Sequence, residues 1–212
     1  MTPRALVVDY GGVMTSSMGR AFGEFCLREG VDPERFRAVV AEAYSDAGRD
    51  GVMARLERGE IGLDEFERWM AEMLSEGLDA PIDPTGIKER MNAGLEADER
   101  MIDAVLRLRA HGIRTGLISN SWGPGAYERD RFGQLFDAVL ISGEVGTRKP
   151  EPEIYRLAAQ RLGVEPEECV FADDLLQNVE GARAAGMEGI VHRSADFTVP
   201  KLEELFGLSL RD

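Results

Sequence analysis

The stretch ALVVDYGGV, residues 5–13, decides how this chain folds. Its first four residues are apolar, and the run stops at an acid that is soon followed by two glycines. This pattern is typical of a buried parallel strand that ends in a tight loop. Ligands bind at the carboxyl ends of such strands, where glycines let the backbone approach them closely. We therefore expect Asp9 at the mouth of a cleft, although a solvated turn residue would show the same local pattern.

The bulk composition restricts the class of partner. The chain has 212 residues, of which 43% are hydrophobic and 30% charged, and its formal net charge is −14. The length fits one large or two small domains. Because the negative charge would repel a polyanion, we expect no nucleic-acid partner. We also expect no membrane association, since no segment approaches the roughly 20 apolar residues of a membrane span.

The two cysteines indicate the cellular compartment of the protein. Cys26 and Cys169 lie far apart in the sequence. This usage is typical of reduced structural thiols, and we expect a cytoplasmic protein. The acidic charge and the apolar helix faces are compatible with either a monomer or a homodimer.

The pattern between about residues 16 and 95 is helical. Apolar residues recur there at helical spacing, as in the stripe that begins at Phe66 and Trp69, and no run favours a strand. We interpret residues 16–94 as a small helical bundle inserted into a core made of residues 1–15 and 95–212.

From about residue 98 helices and strands alternate. Apolar strand patterns occupy residues 116–118, 138–141, 169–172 and 189–192, with helical patterns between them. Such alternation predicts an α/β fold with a doubly wound, Rossmann-like parallel sheet and right-handed crossovers. The carboxyl ends of the strands then share one edge of the sheet, where polar residues cluster.

Ser119 and Asn120 end the second strand. A hydroxyl, an amide and free backbone N–H groups at a strand end favour a cradle for an oxyanion or a phosphate. A plain Ser/Asn turn has the same composition, so this segment alone decides nothing.

Lys149 follows the third strand and directly precedes a proline. Limited backbone freedom there would let its ammonium be placed over a charged intermediate. The alternative is a surface basic pair in a proline loop. We expect the adjacent Arg148 to be solvated or paired with Glu144.

Asp173 and Asp174 directly follow the hydrophobic fourth strand. Two adjacent acids at such a place are costly unless positive charge lies beside them. A hard cation with oxygen ligands, typically Mg²⁺, would supply that charge. Capping of the next helix is the alternative, but a cap needs only one acid.

Taken in order, these strand-end segments resemble the haloacid dehalogenase-like hydrolase superfamily, above all the phosphatase domain of soluble epoxide hydrolase and its bacterial relatives. The likeness covers nearly the whole chain. It is carried by residues 119–122, residues 148–155, and residues 171–174 with Asn178. The resemblance implies that the helical insert is a mobile cap over the active site.

The resemblance also implies a Mg²⁺ cofactor and its ligands. Asp9 would be the nucleophile that forms an aspartyl-phosphate, and it would bind the metal through its other oxygen. The backbone carbonyl of Gly11 and the carboxylate of Asp174 would be further ligands. Asp173 would hold the catalytic lysine or a metal-bound water.

The phosphoryl group has its own implied set of contacts. The Ser119 hydroxyl and the Asn120 N–H would hold phosphoryl oxygens, and Gly11 and Gly12 would let the substrate approach the backbone. Lys149 would stabilise the negative charge that develops during phosphoryl transfer.

Gly11 is a departure from the pattern of the superfamily, because most of its phosphatases have there a second Asp that acts as general acid and base. Such catalysis is worth roughly 10²–10⁴-fold. The sequence therefore predicts a Mg²⁺-dependent phosphatase of a small phosphorylated metabolite that either needs a good leaving group or takes its proton elsewhere. The alternative is a weak or inactive binding module. A 2-haloacid dehalogenase is disfavoured, since the unneutralised acidic pair would repel a carboxylate substrate.

Overall fold

The computed structural model describes residues 2–45, 51–123, 127 and 129–210. Within them lies a five-stranded sheet in which every pairing is parallel, with the order β3-β2-β1-β4-β5. This arrangement confirms the predicted α/β, doubly wound fold. The strands are β1 (Ala5–Val8), β2 (Arg114–Ser119), β3 (Ala138–Ile141), β4 (Cys169–Asp173) and β5 (Glu188–Val191).

Helices flank the sheet and also form the insert between β1 and β2. The insert contains α1 (Met18–Glu29), α2 (Pro33–Ser45), α3 (Val52–Glu57), α4 (Leu63–Ser75) and α5 (Ile87–Asn92). The helices associated with the sheet are α6 (Glu99–Ala110), α7 (Phe132–Leu135), α8 (Ser142–Val145), α9 (Pro152–Leu162), α10 (Leu176–Ala184) and α11 (Ala195–Phe206).

The central strand β1 is buried on both faces. Leu6 and Val8 belong to an apolar cluster with residues of α6 and α11, whereas Ala5 and Val7 belong to one with α9 and α10. Successive side chains of a strand point to opposite faces, so a continuous apolar run suits a strand covered on both sides. The end of β1 therefore lies in the middle of the carboxyl edge of the sheet.

The insert has an apolar cluster of its own. Its members come from α1–α5 and their connections, with Phe25, Phe66 and Met70 fully buried among them, and Trp122 from the β2 side packs against them. Within residues 16–45 and 51–95 no strand is present, so the helical character is as predicted. The division at residues 15/16 and 94/95 stays a prediction.

Two further properties concern membrane-spanning helices and the cysteines. No helix in the described part of the chain is long and apolar enough to cross a membrane. Cys26 and Cys169 are both buried and form no disulfide. The cytoplasmic location and the oligomeric state stay predictions.

Gly181 tests how α10 is held against the loop that follows β3. A Cβ at this position would lie 2.8 Å from both Cβ and the carbonyl oxygen of Pro150. Because the backbone there cannot yield cheaply, we expect Gly181→Ala to lower the free energy of unfolding by about 1–3 kcal/mol, as measured by urea denaturation. Gly23→Ala is the matched control, since a Cβ there meets nothing within 4 Å in a helix. Equal effects of the two substitutions would contradict the close contact.

Candidate active site

The carboxyl edge of the sheet brings the predicted strand-end residues together. Val8 pairs with Leu117 of β2 on one side and with Ala172 of β4 on the other. The next residue, Asp9, continues the register, because its N–H donates to the Ala172 carbonyl at 2.9 Å. Asp9 therefore lies between the end of β2 and the end of β4.

Lys149 occupies the centre of the site. Its Nζ lies 2.7 Å from Oδ1 of Asp9 and 2.6 Å from Oδ2 of Asp173, and its side chain is 1% exposed. Burial alone would lower the pKa of Lys149, but the charges of Asp173 and Asp9 outweigh it and hold the pKa above its ordinary value. The lysine is therefore charged at any physiological pH.

The carboxyl group of Asp9 is strongly perturbed by its surroundings. Burial raises its pKa to about 7, against the lowering effect of Lys149 and with a further rise from the charge of Asp173. Its Oδ1 accepts from the Tyr10 N–H at 2.6 Å as well as from Lys149. Within the described residues Oδ2 accepts no hydrogen bond, so one oxygen of this carboxylate is available to a ligand.

The two acids after β4 differ in their surroundings. Asp173 is fully buried, and both of its oxygens accept hydrogen bonds: Oδ1 from the Leu175 N–H at 2.9 Å and Oδ2 from Lys149. The Asn178 amide donates to both oxygens, at 3.0 and 3.1 Å. Asp173 thus has little capacity left for a metal. This agrees with the role that the family resemblance implied for it, which is to hold Lys149 or a metal-bound water.

Asp174 is the less constrained acid. Burial, with the charge of Asp173, raises its pKa to about 6. Its carboxylate lies over Gly12: a Cβ on Gly12 would be 2.6 Å from Oδ2 of Asp174. Gly12 also has φ +77°, so any side chain there would be both strained and in collision.

The carboxylates fit a divalent cation. Asp9, Asp173 and Asp174 each offer an oxygen, and these oxygens lie within 4.8 Å of one another. With all three ionised and Lys149 protonated, the cluster carries a net charge of −2. A hard cation with oxygen ligands balances that charge, and Mg²⁺ prefers such donors. Asp9 and Asp174 would hold the ion, while the carbonyl of Gly11 stays a predicted ligand.

Ser119 ends β2 beside this cluster. It is 5% exposed, and its Oγ accepts a hydrogen bond of 3.0 Å from the hydroxyl of Tyr127. Burial raises the pKa of Tyr127 to about 12, so the phenol is protonated and able to donate. Sequence reasoning missed Tyr127, because a tyrosine in a glycine- and proline-rich loop carries no distinguishing pattern.

The Asn120 side chain joins two loops. Its Nδ2 donates to the Lys149 carbonyl at 3.0 Å, and the Lys149 N–H donates to its Oδ1 at 2.9 Å. This pair of bonds fixes the backbone of the lysine relative to β2. The contact of the Asn120 backbone N–H with a phosphoryl oxygen stays a prediction.

Arg148 was wrongly predicted to be solvated or paired with Glu144. Its side chain is 8% exposed and forms an ion pair with Glu57 of α3, while Glu144 pairs with Arg129 instead. Sequence spacing could not reveal this partner, because Glu57 reaches the site only through the packing of the insert. Burial raises the pKa of Glu57, and the charge of Arg148 opposes that rise.

Gly11 lies beside α1 of the insert. A Cβ at Gly11 would be 3.2 Å from Sδ of Met18, so a thioether stands next to the position where the resembling phosphatases have an acid. The sulfur can neither donate a proton nor hold a water as a base would. Methionine is flexible, however, and the end of its side chain can yield.

A cavity of about 260 Å³ opens above the carboxylates, between the sheet and the insert. Asp9, Ser119 and Lys149 line its floor. Its walls include apolar side chains from both parts of the chain, namely Met18, Phe22, Val40, Leu95, Trp122 and Leu175. Polar side chains, among them Asn92 and Gln177, complete the lining. A mainly apolar lining with a few polar groups is usual for a small-molecule site.

Comparison with known proteins agrees with this geometry. The family model for haloacid dehalogenase-like hydrolases matches residues 3–186. The chain is 30% identical over 230 residues to bifunctional epoxide hydrolase 2 of Sus scrofa, covering 99% of this chain and 40% of that protein. It is 38% identical over 91 residues to glyceraldehyde 3-phosphate phosphatase of Methanopyrus kandleri, covering 41% of this chain and 39% of that protein. Both matches therefore span less than half the length of the relative.

A solved structure shows the same fold. It is that of a family enzyme from Bacteroides thetaiotaomicron in complex with magnesium and inorganic phosphate, with a TM-score of 0.62 at 22% identity. The alignment covers 91% of this chain and 95% of that one. Because the family model spans most of the sequence and the strand-end residues converge as described, this chain belongs to the haloacid dehalogenase-like hydrolases.

Proposed function

We propose that this hydrolase is a Mg²⁺-dependent phosphatase in which Asp9 is the nucleophile. The observation that carries the proposal is the lysine bridge: Lys149 binds Oδ1 of Asp9 at 2.7 Å and leaves the other oxygen without a hydrogen bond among the described residues. Phosphoryl transfer depends mainly on positioning and on neutralisation of charge, and this site offers both.

The reaction proceeds in two steps at Asp9. A carboxylate oxygen attacks phosphorus, the bond to the leaving oxygen breaks, and an aspartyl-phosphate forms. Water then cleaves the acyl phosphate, which releases inorganic phosphate and restores the carboxylate. A bound Mg²⁺ supplies charge neutralisation at the phosphoryl oxygens. Lys149 stabilises the negative charge that spreads over these oxygens in each step.

Ser119 and Tyr127 form one side of the phosphoryl cradle. Because the Tyr127 hydroxyl donates to Oγ of Ser119, the Ser119 hydroxyl keeps its own proton for an acceptor in the cavity. A phosphoryl oxygen is such an acceptor. We assign Ser119 as the donor that orients the phosphoryl group beside Asp9.

The cavity supports a substrate with a small, largely apolar organic part. Its volume of about 260 Å³ is below the range of about 300–1,000 Å³ for drug-sized ligands. The apolar part of the lining would bury hydrocarbon favourably. We propose that residues 16–94 act as the cap that supplies one wall of this cavity.

Gly11 restricts the leaving group. With no acid at this position, the departing oxygen must be stable as an anion or take its proton from water or another group. Aryl and acyl phosphates meet the first condition. The second candidate function, a binding module without turnover, is favoured by one observation, the position of Met18 against Gly11.

The decisive experiment measures phosphate release by wild-type protein and by Asp9→Asn. Wild type with Mg²⁺ is expected to hydrolyse 1-naphthyl phosphate, and with a lower KM than glucose 1-phosphate because of the apolar cavity walls. Loss of the nucleophile is expected to lower kcat by at least about 10³-fold while the circular dichroism spectrum is unchanged. Turnover by a pure Asp9→Asn sample would refute the covalent mechanism. Binding of Mg²⁺ and vanadate without any turnover would favour the binding module.

Metal binding has a pH dependence that can be measured on the protein alone. Burial raises the pKa of Asp9 to about 7 and that of Asp174 to about 6, so both carboxylates favour the neutral form as pH falls through these values. Without metal, these two groups contribute less stability as pH rises from about 4 to about 7. Mg²⁺ needs the ionised forms, so it should raise the melting temperature more at pH 8 than at pH 5.

Asp174→Asn tests which acid holds the ion. The substitution removes a proposed ligand but leaves the Lys149–Asp173 bond in place. We expect the Mg²⁺-dependent rise in melting temperature at pH 8 to disappear, as followed by differential scanning fluorimetry with EDTA as the reference. A rise equal to that of wild type would show that Asp174 is not a ligand.

Restoring the acid tests the consequence of Gly11. Gly11→Asp is expected to accelerate hydrolysis of an alkyl phosphate by about tenfold or more, and by no more than the roughly 10²–10⁴-fold contribution of general acid–base catalysis. Hydrolysis of an aryl phosphate should change little, since its leaving group needs no proton. Because Met18 lies against this position, Gly11→Asp/Met18→Ala provides the same acid with more room. No gain in either variant would mean that another group already supplies the proton.

A further inference from the structure

Glu57 is a buried carboxylate at the boundary between the insert and the sheet. It ends α3 and is 1% exposed. Its Oε2 accepts from Nε of Arg148 and, at 3.1 Å, from Nδ2 of Asn120. Its Oε1 accepts from the Tyr44 hydroxyl at 3.2 Å. Among the described residues, three side chains thus donate to this carboxylate, and two of them, Arg148 and Asn120, belong to the sheet side.

The backbone around Glu57 also touches the sheet side directly. The hydroxyl of Ser142, at the start of α8, donates to the Glu57 carbonyl oxygen. A Cβ on Gly59 would lie 3.0 Å from the carbonyl oxygen of Gly143, so the two backbones meet with no side chain between them. The end of α3 is therefore docked onto the sheet side in one defined position.

A continuous set of hydrogen bonds runs from Glu57 to the nucleophile. The Asn120 amide that donates to Glu57 also donates to the Lys149 carbonyl at 3.0 Å and accepts from the Lys149 N–H at 2.9 Å. Nζ of the same lysine lies 2.7 Å from Oδ1 of Asp9. Arg148, the other sheet-side partner of Glu57, is the residue directly before Lys149 in the chain. Glu57 thus accepts hydrogen bonds from Asn120, which fixes the backbone of Lys149, and from Arg148, which precedes Lys149 in the chain.

We infer that Glu57 is a positioning residue through which docking of the insert completes the active site. When α3 is in place, Glu57 orients the Asn120 amide and Arg148, and these hold Lys149 over Asp9. When α3 moves away, the amide loses one partner and Arg148 loses its counter-ion. The inference rests on the proposed phosphatase function and assigns to the insert a part in the chemistry beyond shaping the cavity.

Glu57→Gln tests this role, because it keeps the size of the side chain and removes its charge. A small misplacement of a catalytic group can cost up to about 10²-fold in rate. We expect kcat with 1-naphthyl phosphate to fall about 10- to 100-fold, while KM changes by less than about threefold. Amide hydrogen–deuterium exchange should become faster in residues 142–149, with or without substrate.

Glu67→Gln is the matched control. Glu67 is another buried glutamate of the insert, 8% exposed, and it accepts from the backbone N–H groups of Lys88 and Gly86 at 3.0 and 3.3 Å. These partners belong to the insert itself. We expect Glu67→Gln to lower the melting temperature, while kcat and the exchange of residues 142–149 stay as in wild type.

A double variant separates positioning from simple stabilisation. Glu57→Gln leaves a buried arginine without its counter-ion, and Glu57→Gln/Arg148→Met removes that charge as well. We expect the double variant to recover melting temperature but not kcat. If Glu57→Gln does not fold, Glu57→Asp keeps the charge but withdraws it by one methylene, and kcat should fall in the same way.

Three results would overturn the inference. These are a kcat of Glu57→Gln within twofold of wild type, unchanged exchange in residues 142–149, and recovery of kcat together with melting temperature in the double variant. A wild type with no phosphatase activity would refute the proposed function instead. The exchange measurement would then still decide whether Glu57 holds the lysine loop.

Discussion

The buried ammonium of Lys149 is the constraint on which the site depends. A charged lysine with 1% exposure is tolerable only if carboxylates surround it, and here Asp9 and Asp173 do so at 2.7 and 2.6 Å. Asp9 follows β1 and Asp173 ends β4. Because these strands are neighbours, both acids lie at one edge of the sheet. The lysine itself arrives on the loop after β3, and the amide of Asn120 locks that loop to β2. The strand order therefore brings the two acids together, and the buried lysine needs both of them.

The same constraint explains why the site is suited to a cation. One lysine offsets only part of the charge of the three clustered carboxylates. Burial, with a smaller contribution from the charge of Asp173, raises the pKa values of Asp9 and Asp174. Arg148 does not neutralise the remaining negative charge, because it already forms an ion pair with Glu57. Gly12 provides the space, since its missing side chain is what admits the carboxylate of Asp174. A divalent ion held by Asp9 and Asp174 would supply the remaining positive charge.

The sequence predicted the fold and the clustering of the carboxylates for a simple reason. Apolar runs that end in polar residues mark strand ends, and parallel strands bring their ends to one edge, so Asp9, Ser119 and Asp173 were found together. Contacts between segments far apart in the chain were not predictable. Tyr127 reaches Ser119 from a loop, and Glu57 reaches Arg148 from the insert, and neither pair has a spacing that a pattern could reveal. The predicted solvated state of Arg148 was wrong for that reason.

The contacts between the insert and the sheet divide into two kinds with different physical roles. Trp122 stacks on Phe22 with ring centroids 6.0 Å apart and packs against Phe66, and such apolar contact is favourable whenever it excludes water. The Glu57–Arg148 pair is different, because both ions regain water when the surfaces separate, so their attraction is largely offset by desolvation. The pair therefore adds little to the drive for docking. In our proposal it adds direction, because in the observed placement of α3 the Glu57 carboxylate accepts from Arg148 and the Asn120 amide together while Lys149 lies against Asp9.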